Sequence, residues 1–332
     1  MVPVKKLLEE HWQLAVEKVT AVGPVWRVQT VQGDFCFKRG KHSLARLFFD
    51  FHAIEYLWKQ GFTSTPRLIS TVYGNPIIQT DDGPFFLTQW VGRPLRSTSK
   101  AEWMQAAQTL GEFHQASKGI TFPPAIKRFT FDGKWTLRFQ ERTEELQQCF
   151  AAYHKPRNEF ENKVHQDASE LMTIATQASS AFADSDYERL VAELAHSPSL
   201  VHSNVKAENF SVAQSGAVSL IDFDSFRIDL PVQDLANLFQ DLLPALNWSP
   251  DDALDIFAAY QQARPVDPVE IPVLLAYLAY PHRVYKEIRK YSTQPDRPLQ
   301  KCLRKWQPAL DEMYQSHEFL KKWAIPLKRC VQ

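Results

Sequence analysis

The chain has 332 residues, enough for two lobes with sizeable cores, and 44% of them are hydrophobic, which excludes a disordered protein. Lys+Arg and Asp+Glu each total 38, so the formal net charge is zero, and the basic surplus expected of a nucleic-acid binder is missing. The four cysteines, Cys36, Cys149, Cys302 and Cys330, are far apart and form no CxxC pair, so neither a zinc site nor a disulfide framework is expected, and reduced thiols in a cytoplasmic protein are.

The first turns, Met1 to His11, carry charges and no signal-peptide apolar core. Residues 13–40 read as short strands: 16–22, 25–31 and 34–38 are β-rich, with Gly23-Pro24 and Gln32-Gly33 as turns. A helix is expected from about Ser43 to Gln60, closed by Gly61. Residues 66–70, 77–79 and 85–91 carry further strand signal. After Gly92 the pattern turns helical. Ser99 is placed to cap a helix over 100–117 that carries Leu110, Phe113 and His114 near one face. Residues 135–195 are helical by periodicity, and short strands follow at 200–201, 210–212 and 218–221. The remainder reads as helices over 234–245, 250–263, 268–291 and 297–323, with Pro281 expected to kink or split the third. The apolar run 271–281 is shorter than the roughly 20 residues that span a bilayer, so a soluble protein without membrane contact is expected. The fold class is therefore α+β. A β-rich N-terminal lobe covers 1–89 and a helical lobe covers 90–332, with a catalytic-like loop at 200–226.

That loop concentrates the chemistry. His202-Ser-Asn204 stands five residues before Asn209, and Asp222 follows inside an apolar run. Phosphoryl transfer needs groups that hold phosphates, neutralise charge and position the acceptor hydroxyl. Asn209 and Asp222 offer an amide oxygen and a carboxylate across a short hairpin, a set suited to Mg²⁺ together with nucleotide phosphates. Asp224 is a second acidic candidate. Lys38 ends a strand, where a lysine can meet the α- and β-phosphates of ATP. Its partner on the next helix is either Asp50 or Glu55, and Asp50 shares the better face with Phe49, Ala53 and Leu57. Gln89, Trp90 and Val91 lie where a hinge would offer backbone groups to an adenine edge. No Gly-x-Gly-x-x-Gly joins the first two strands, so fewer free amides face the phosphates than in a glycine-rich loop. Asn204 occupies the place of a catalytic base but is an amide. Loss of a general base costs about 10²–10⁴-fold in rate, or about 3–5 kcal/mol of barrier. Glu208 adjoins the metal-binding Asn209 and is expected to point elsewhere.

His202-Ser-Asn-x4-Asn209, Ile221-Asp-Phe-Asp224 and Pro231-x-x-Asp234-Leu-Ala resemble the aminoglycoside/choline phosphotransferase family, whose pattern is His-Gly-Asp-x4-Asn, Ile-Asp-Phe/Trp-Asp and Pro-x-x-Asp-Leu. Ser203 stands in place of the glycine and Asn204 in place of the catalytic Asp. Within that family Gly133-Lys-Trp and residues 281–291 look like the CotS-type spore-coat group. The resemblance covers about 10–320. It implies a two-lobe protein-kinase-like fold, with Asn204 and His202 in the catalytic loop, Lys38, Asp50, Gln89 and Val91 at the nucleotide, and Asn209 and Asp222 at the metal. It also implies ATP and Mg²⁺ as cofactors, Asp234 bracing the catalytic loop, a small-molecule acceptor docking near 240–290, and spore-coat proteins as partners in a sporulating bacterium. Trp248, Tyr277, Tyr280 and Tyr285 in that stretch read as core. The expected function is a kinase-like spore-coat protein, a pseudokinase or weakly active enzyme because of Asn204. The alternatives are an active ATP-dependent phosphotransferase acting on a hydroxyl acceptor and a coat protein with no ligand.

Overall fold

The computed structural model describes residues 3–131, 133–294 and 296–331. Its N-terminal part is a five-stranded antiparallel sheet in the order β1-β2-β3-β5-β4, made of β1 (Val16–Val22), β2 (Val25–Thr30), β3 (Gly33–Arg39), β4 (Ile77–Thr80) and β5 (Gly83–Gln89). Alternation of apolar residues sends Val28, Phe37, Phe85 and Leu87 into one core, where the Phe37 and Phe85 rings stack 5.1 Å apart. The β1–β2 turn needs a left-handed residue, and Gly23 supplies it at φ +57°.

The helix α1 (Val4–Trp12) was not expected. It buries Val4, Leu8 and Trp12 at a four-residue spacing against the sheet core, and Trp12 Nε1 donates to the Ile69 carbonyl at 2.7 Å. Residues 66–70, expected as a strand, make only a single bridge, Leu68 to Thr88. The hydrogen bond from Ile69 N–H to Leu87 O and the side-chain bond from Trp12 fix this segment beside β5 without continuing the ladder.

The helix α2 (Leu44–Lys59) starts at the cap Ser43, whose hydroxyl accepts the Arg46 N–H, and ends before Gly61 at φ +87°. Its buried residues Phe49, Ala53 and Leu57 join the second, larger core rather than that of the sheet. The short β6 (Arg93–Pro94) leads to α3 (Lys100–Ser117), α4 (Trp135–Ala152), α5 (Glu159–Ala183) and α6 (Tyr187–His196). The loop region is built on β7 (Leu200–Val201), β8 (Phe210–Val212), β9 (Val218–Leu220) and β10 (Arg227–Ile228), with β6-β8-β9 forming one small sheet and β10-β7 another. Helices α7 (Pro231–Ala245), α8 (Pro250–Ala263), α9 (Glu270–Ala279), α10 (His282–Thr293) and α11 (Leu299–Cys330) complete the chain. Pro231 and Pro250 occupy first turns, and Pro281 splits the expected 268–291 helix into α9 and α10. The last helix runs through Pro326, beyond its expected end at 323, because buried Trp323 and Leu327 anchor both sides of the proline.

Tyr277, Tyr280 and Tyr285 are buried and Trp248 packs against the same core, as their reading as core residues required. The four cysteines are unpaired. Among the described residues no helix is long and apolar enough to cross a membrane.

Candidate functional site

β8 and β9 bring the loop residues together. Phe210 pairs with Leu220, and Ile221 N–H donates to the Asn209 carbonyl at 2.9 Å, so the chain positions that carry Asn209 and Asp222 meet at one end of this hairpin. The Asn209 side chain is buried and donates Nδ2 to the Asn204 carbonyl at 2.7 Å. That bond fixes the amide and leaves Oδ1 as the atom that can face a cation. Asp222 sits in the left-handed region at φ +67°, and a single 3₁₀ turn, Phe223–Ser225, follows it. An aspartate held there stores backbone strain at a functional position.

Lys38 reaches from β3 to this turn. Its ammonium bonds Asp222 and lies 2.9 Å from Asp224 Oδ1. Burial pulls the Lys38 pKa down, but the two carboxylates outweigh it and leave the pKa raised. At Asp222 burial opposes ionisation, and the attraction of Lys38 reverses it, so the carboxyl stays below its ordinary range. Asp224 Oδ2 is buried without a hydrogen-bond partner, with Lys41 Nζ 3.5 Å away.

The expected partner from α2 is corrected here. Asp50 is buried but its carboxylate accepts from Arg46 Nε at 3.1 Å, not from Lys38. Burial raises the Asp50 carboxyl to about 7 against the opposing pull of Arg46. The alternative, Glu55, pairs with Arg67 at 2.8 Å. Asp50 lies one turn after Arg46 on α2, so the nearer cation claims it. Arg46 also donates to the Phe226 carbonyl, so α2 is tied to the Asp222–Asp224 turn by an arginine rather than through a lysine–acid pair.

The hinge residues are largely engaged. Gln89 ends β5 opposite Phe35, Trp90 N–H donates to Asp34 O at 2.9 Å, and the Val91 carbonyl accepts the Ser211 hydroxyl. The Val91 carbonyl is therefore engaged inside the protein by Ser211. Gly92 is required at the next position: a Cβ on it would lie 2.1 Å from the Val212 carbonyl oxygen.

His202 is buried, and its Nε2–H donates to the Ile221 carbonyl at 2.8 Å. Burial lowers its pKa, so the ring is neutral, and Nδ1 has no partner. The ring is thus held inside the loop by the Ile221 carbonyl. Asp234, at the start of α7, accepts the backbone N–H of His202 and that of Ser203, the latter at 2.8 Å. Ser203 adopts φ +64°, the conformation that its family-pattern glycine would take without strain.

Asp234 is in turn the end of a buried chain. His114 Nε2 lies 3.2 Å from its carboxylate, His114 Nδ1 lies 2.7 Å from the Tyr260 hydroxyl, and Arg264 joins Tyr260 at 3.2 Å to Glu270 at 2.9 Å. Burial pushes the His114 pKa down, and a neutral ring that donates through Nε2 and accepts at Nδ1 satisfies both contacts.

Asn204 borders an open cleft of 280 Å³ between the loop and α7, shared with Lys206, Asn237, Gln240 and Asp241. Among the described residues the Asn204 side-chain amide makes no hydrogen bond, so both of its polar atoms are free for a bound group. Glu208 is exposed and paired with Lys206, as its expected orientation away from the metal pair required. Sequence reasoning missed Asp241, although it lies seven residues after Asp234 on one helix and so on the same face. It also missed Arg46 and Tyr260, whose roles depend on contacts far away in the chain.

A divalent cation fits the donor set. Asp222 and Asn209 would supply two oxygen ligands, and among the described residues the buried Asp224 Oδ2 has no hydrogen-bond partner. Mg²⁺ commonly takes one or two protein oxygens and completes its shell with phosphate oxygens and water.

A family described as "Spore coat putative kinase YutH" matches residues 5–323 of the chain. Spore coat protein S of Bacillus subtilis (strain 168) is 27% identical over 267 residues, covering 78% of this chain and 74% of that protein. Among solved structures, an aminoglycoside phosphotransferase from Alicyclobacillus acidocaldarius superposes with a TM-score of 0.83 at 21% identity, covering 100% of this chain and 96% of that one. The AMP-bound spectinomycin phosphotransferase APH(9)-Ia gives 0.62 at 15% identity, covering 95% and 97%. The amicoumacin kinase hAmiN, in complex with AMP-PNP, Ca²⁺ and Ami, gives 0.59 at 16% identity, covering 97% and 92%. The fold is thus that of the kinase-like phosphotransferases.

Proposed function

From the premise that this chain belongs to the YutH spore-coat kinase family, we propose that it is a nucleotide-binding, slowly turning phosphotransferase-like protein of the spore coat. What supports this reading is the meeting of Lys38, Asp222, Asn209 and Asn204 around one loop, with the phosphate and metal groups kept and the base position filled by an amide. Two relatives of this fold hold adenine nucleotides, one of them with a divalent cation.

In this reading residues 1–89 form the nucleotide-side lobe and residues 90–332 carry the catalytic loop and acceptor side. Lys38 leaves Asp222 and Asp224 to meet the α- and β-phosphates of ATP. Asp222 and Asn209 hold the Mg²⁺, which supplies charge neutralisation on the transferring phosphoryl group. Asp234 and His202 keep the loop backbone fixed, and positioning of this kind carries much of phosphoryl-transfer catalysis. Among the described residues the Val91 N–H makes no backbone hydrogen bond, and in this reading it is the hinge donor open to a purine edge. Asn204 orients the acceptor hydroxyl without removing its proton.

Calorimetric titration of ATP with and without Mg²⁺ tests the reading. Binding that requires Mg²⁺ and is lost in Asp222→Ala is expected. A native protein that binds no adenine nucleotide at millimolar concentration would reduce the chain to a coat component with a kinase-like frame and nothing in it.

A further inference from the structure

An amide at position 204 leaves the acceptor's proton without a taker on the catalytic loop, yet the cleft beside it has an acid on its other wall. Asp241 lies on α7, two turns beyond Asp234, so one helix sets two carboxylates against the same loop. Asp234 holds the loop at His202 and Ser203, and Asp241 holds it at Ala207, whose N–H donates to Asp241 Oδ2 at 2.7 Å. Oδ1 of Asp241 makes no hydrogen bond among the described residues, and the carboxylate makes no ion pair among them. Lys206, the cation in the same cleft, is taken by Glu208. A carboxylate with one oxygen anchored and the other free, in a 280 Å³ cleft shared with an unbonded amide, has the makings of a base.

We propose that Asp241 receives the acceptor's hydroxyl proton in place of the missing carboxylate at position 204. This rests on the reading of the cleft as a phosphoryl-transfer site. The Asn204 amide donates through Nδ2 to the hydroxyl oxygen and orients it. The O–H bond breaks and its proton passes to Asp241 Oδ1. The freed electron pair forms a bond to the γ-phosphorus of a nucleoside triphosphate. The bond from that phosphorus to the β–γ bridging oxygen breaks, and its electron pair leaves with the nucleoside diphosphate. Asp241 then returns the proton to water. Asp241 is exposed, and the desolvation its carboxyl keeps in the cleft raises it above its ordinary range, with Glu208 adding to this against the lowering pull of the Ala207 N–H. A carboxylate moved in that direction is a better proton acceptor near neutrality.

A double-mutant cycle on the full chain tests this with Asp241→Asn, Asn204→Asp and the pair. The rate of ADP formation from Mg·ATP is read with water and with a polyol or amino alcohol as acceptor, and nucleotide affinity is read separately by calorimetry. An asparagine at 241 keeps an amide oxygen for the Ala207 N–H, so the loop retains its anchor. Asp241→Asn should slow the native protein about tenfold or more, leave nucleotide affinity unchanged, and change the rate less than about threefold once Asn204→Asp has restored a carboxylate on the loop. Equal rates from native protein and Asp241→Asn, including none from either while nucleotide binds, overturn the assignment. So does an equal fold-loss in both backgrounds, which would mark Asp241 as a structural anchor only. Absence of nucleotide binding by the native protein instead removes the phosphotransferase reading itself and this inference with it.

Discussion

Lys38 on β3 lies 2.9 Å from Asp224 and bonds Asp222 as well, so one ammonium bridges the sheet and the turn that follows β9. Without ligand the lysine balances two acids. In the proposed reading, nucleotide draws the lysine to its phosphates while a cation takes over Asp222. Both exchanges happen at the same atoms, so nucleotide and Mg²⁺ should bind together rather than independently. Lys38→Met removes the phosphate contact and leaves Asp222 and Asp224 with only Lys41, 3.5 Å from Asp224 Oδ2, to offset their charge. Charge-assisted bonds of this kind are worth about 1.5–3 kcal/mol, so Mg·ATP affinity should fall about 10–100-fold. Calorimetry on the variant checks this, and unchanged affinity would place the phosphates elsewhere.

Ser203 stands at φ +64° with its hydroxyl buried and unpartnered. A left-handed conformation costs a residue with a side chain about 1–2 kcal/mol, and glycine escapes that cost but loses more entropy on folding. Ser203→Gly also removes the orphaned hydroxyl. The variant should be more stable by about 1 kcal/mol in denaturant unfolding, with the Asp234 bond to the backbone N–H kept.

Tyr260 joins His114 to Arg264 inside the helical core. Tyr260→Phe leaves the His114 Nδ1 lone pair without a donor and deprives Arg264 of one acceptor. Leaving such buried groups unsatisfied should destabilise the protein by about 1–3 kcal/mol. Because His114 in turn supports Asp234, the loss should also raise hydrogen exchange at the amides of His202 and Ser203. A variant with unchanged exchange there would cut the chain between His114 and the loop.

His282 is half-buried, donates through Nε2 to the Tyr277 carbonyl at 2.9 Å, and has its pKa pushed down to about 4, chiefly by desolvation. The folded state therefore resists protonating it while an unfolded histidine takes a proton near its ordinary value of about 6.5. Stability linked to this residue is full above 6.5 and is lost as pH falls toward 4. His282→Gln keeps a donor for the carbonyl and does not titrate. The stability gap between native protein and variant should narrow by about 2–3 kcal/mol between pH 7 and 4.5. A gap independent of pH would mean that His282 is solvated.

Much of this architecture is legible in the sequence because its signals are local. Ser99 caps the helix it was expected to cap, the helix expected from about Ser43 starts there, Gly23 and Gly33 turn the strands, and Pro281 splits a helix. The His202–Asn209–Asp222 spacing locates the loop because a tight hairpin turns sequence distance into spatial contact. What the sequence hides are contacts chosen between competing partners. Lys38 had acids on α2 and after β9 within plausible reach, and only the fold decides for Asp222 and Asp224 while Arg46 claims Asp50. The Val91 carbonyl is met by Ser211, far along the chain, a contact that no local signal marks. Helix α1 escaped notice because its three apolar anchors are separated by charged residues in a short segment.

In the proposed reading Lys38, Asn209 and Asp222 are retained and position 204 limits the chemistry. The most direct measurement is the rate of ADP formation from Mg·ATP by native protein and by Asn204→Asp, compared at equal nucleotide saturation. A restored base should raise the rate about 10–10³-fold with nucleotide affinity little changed. If Asn204→Asp binds Mg·ATP as the native protein does and turns over no faster, Asn204 is not the residue that holds this protein back.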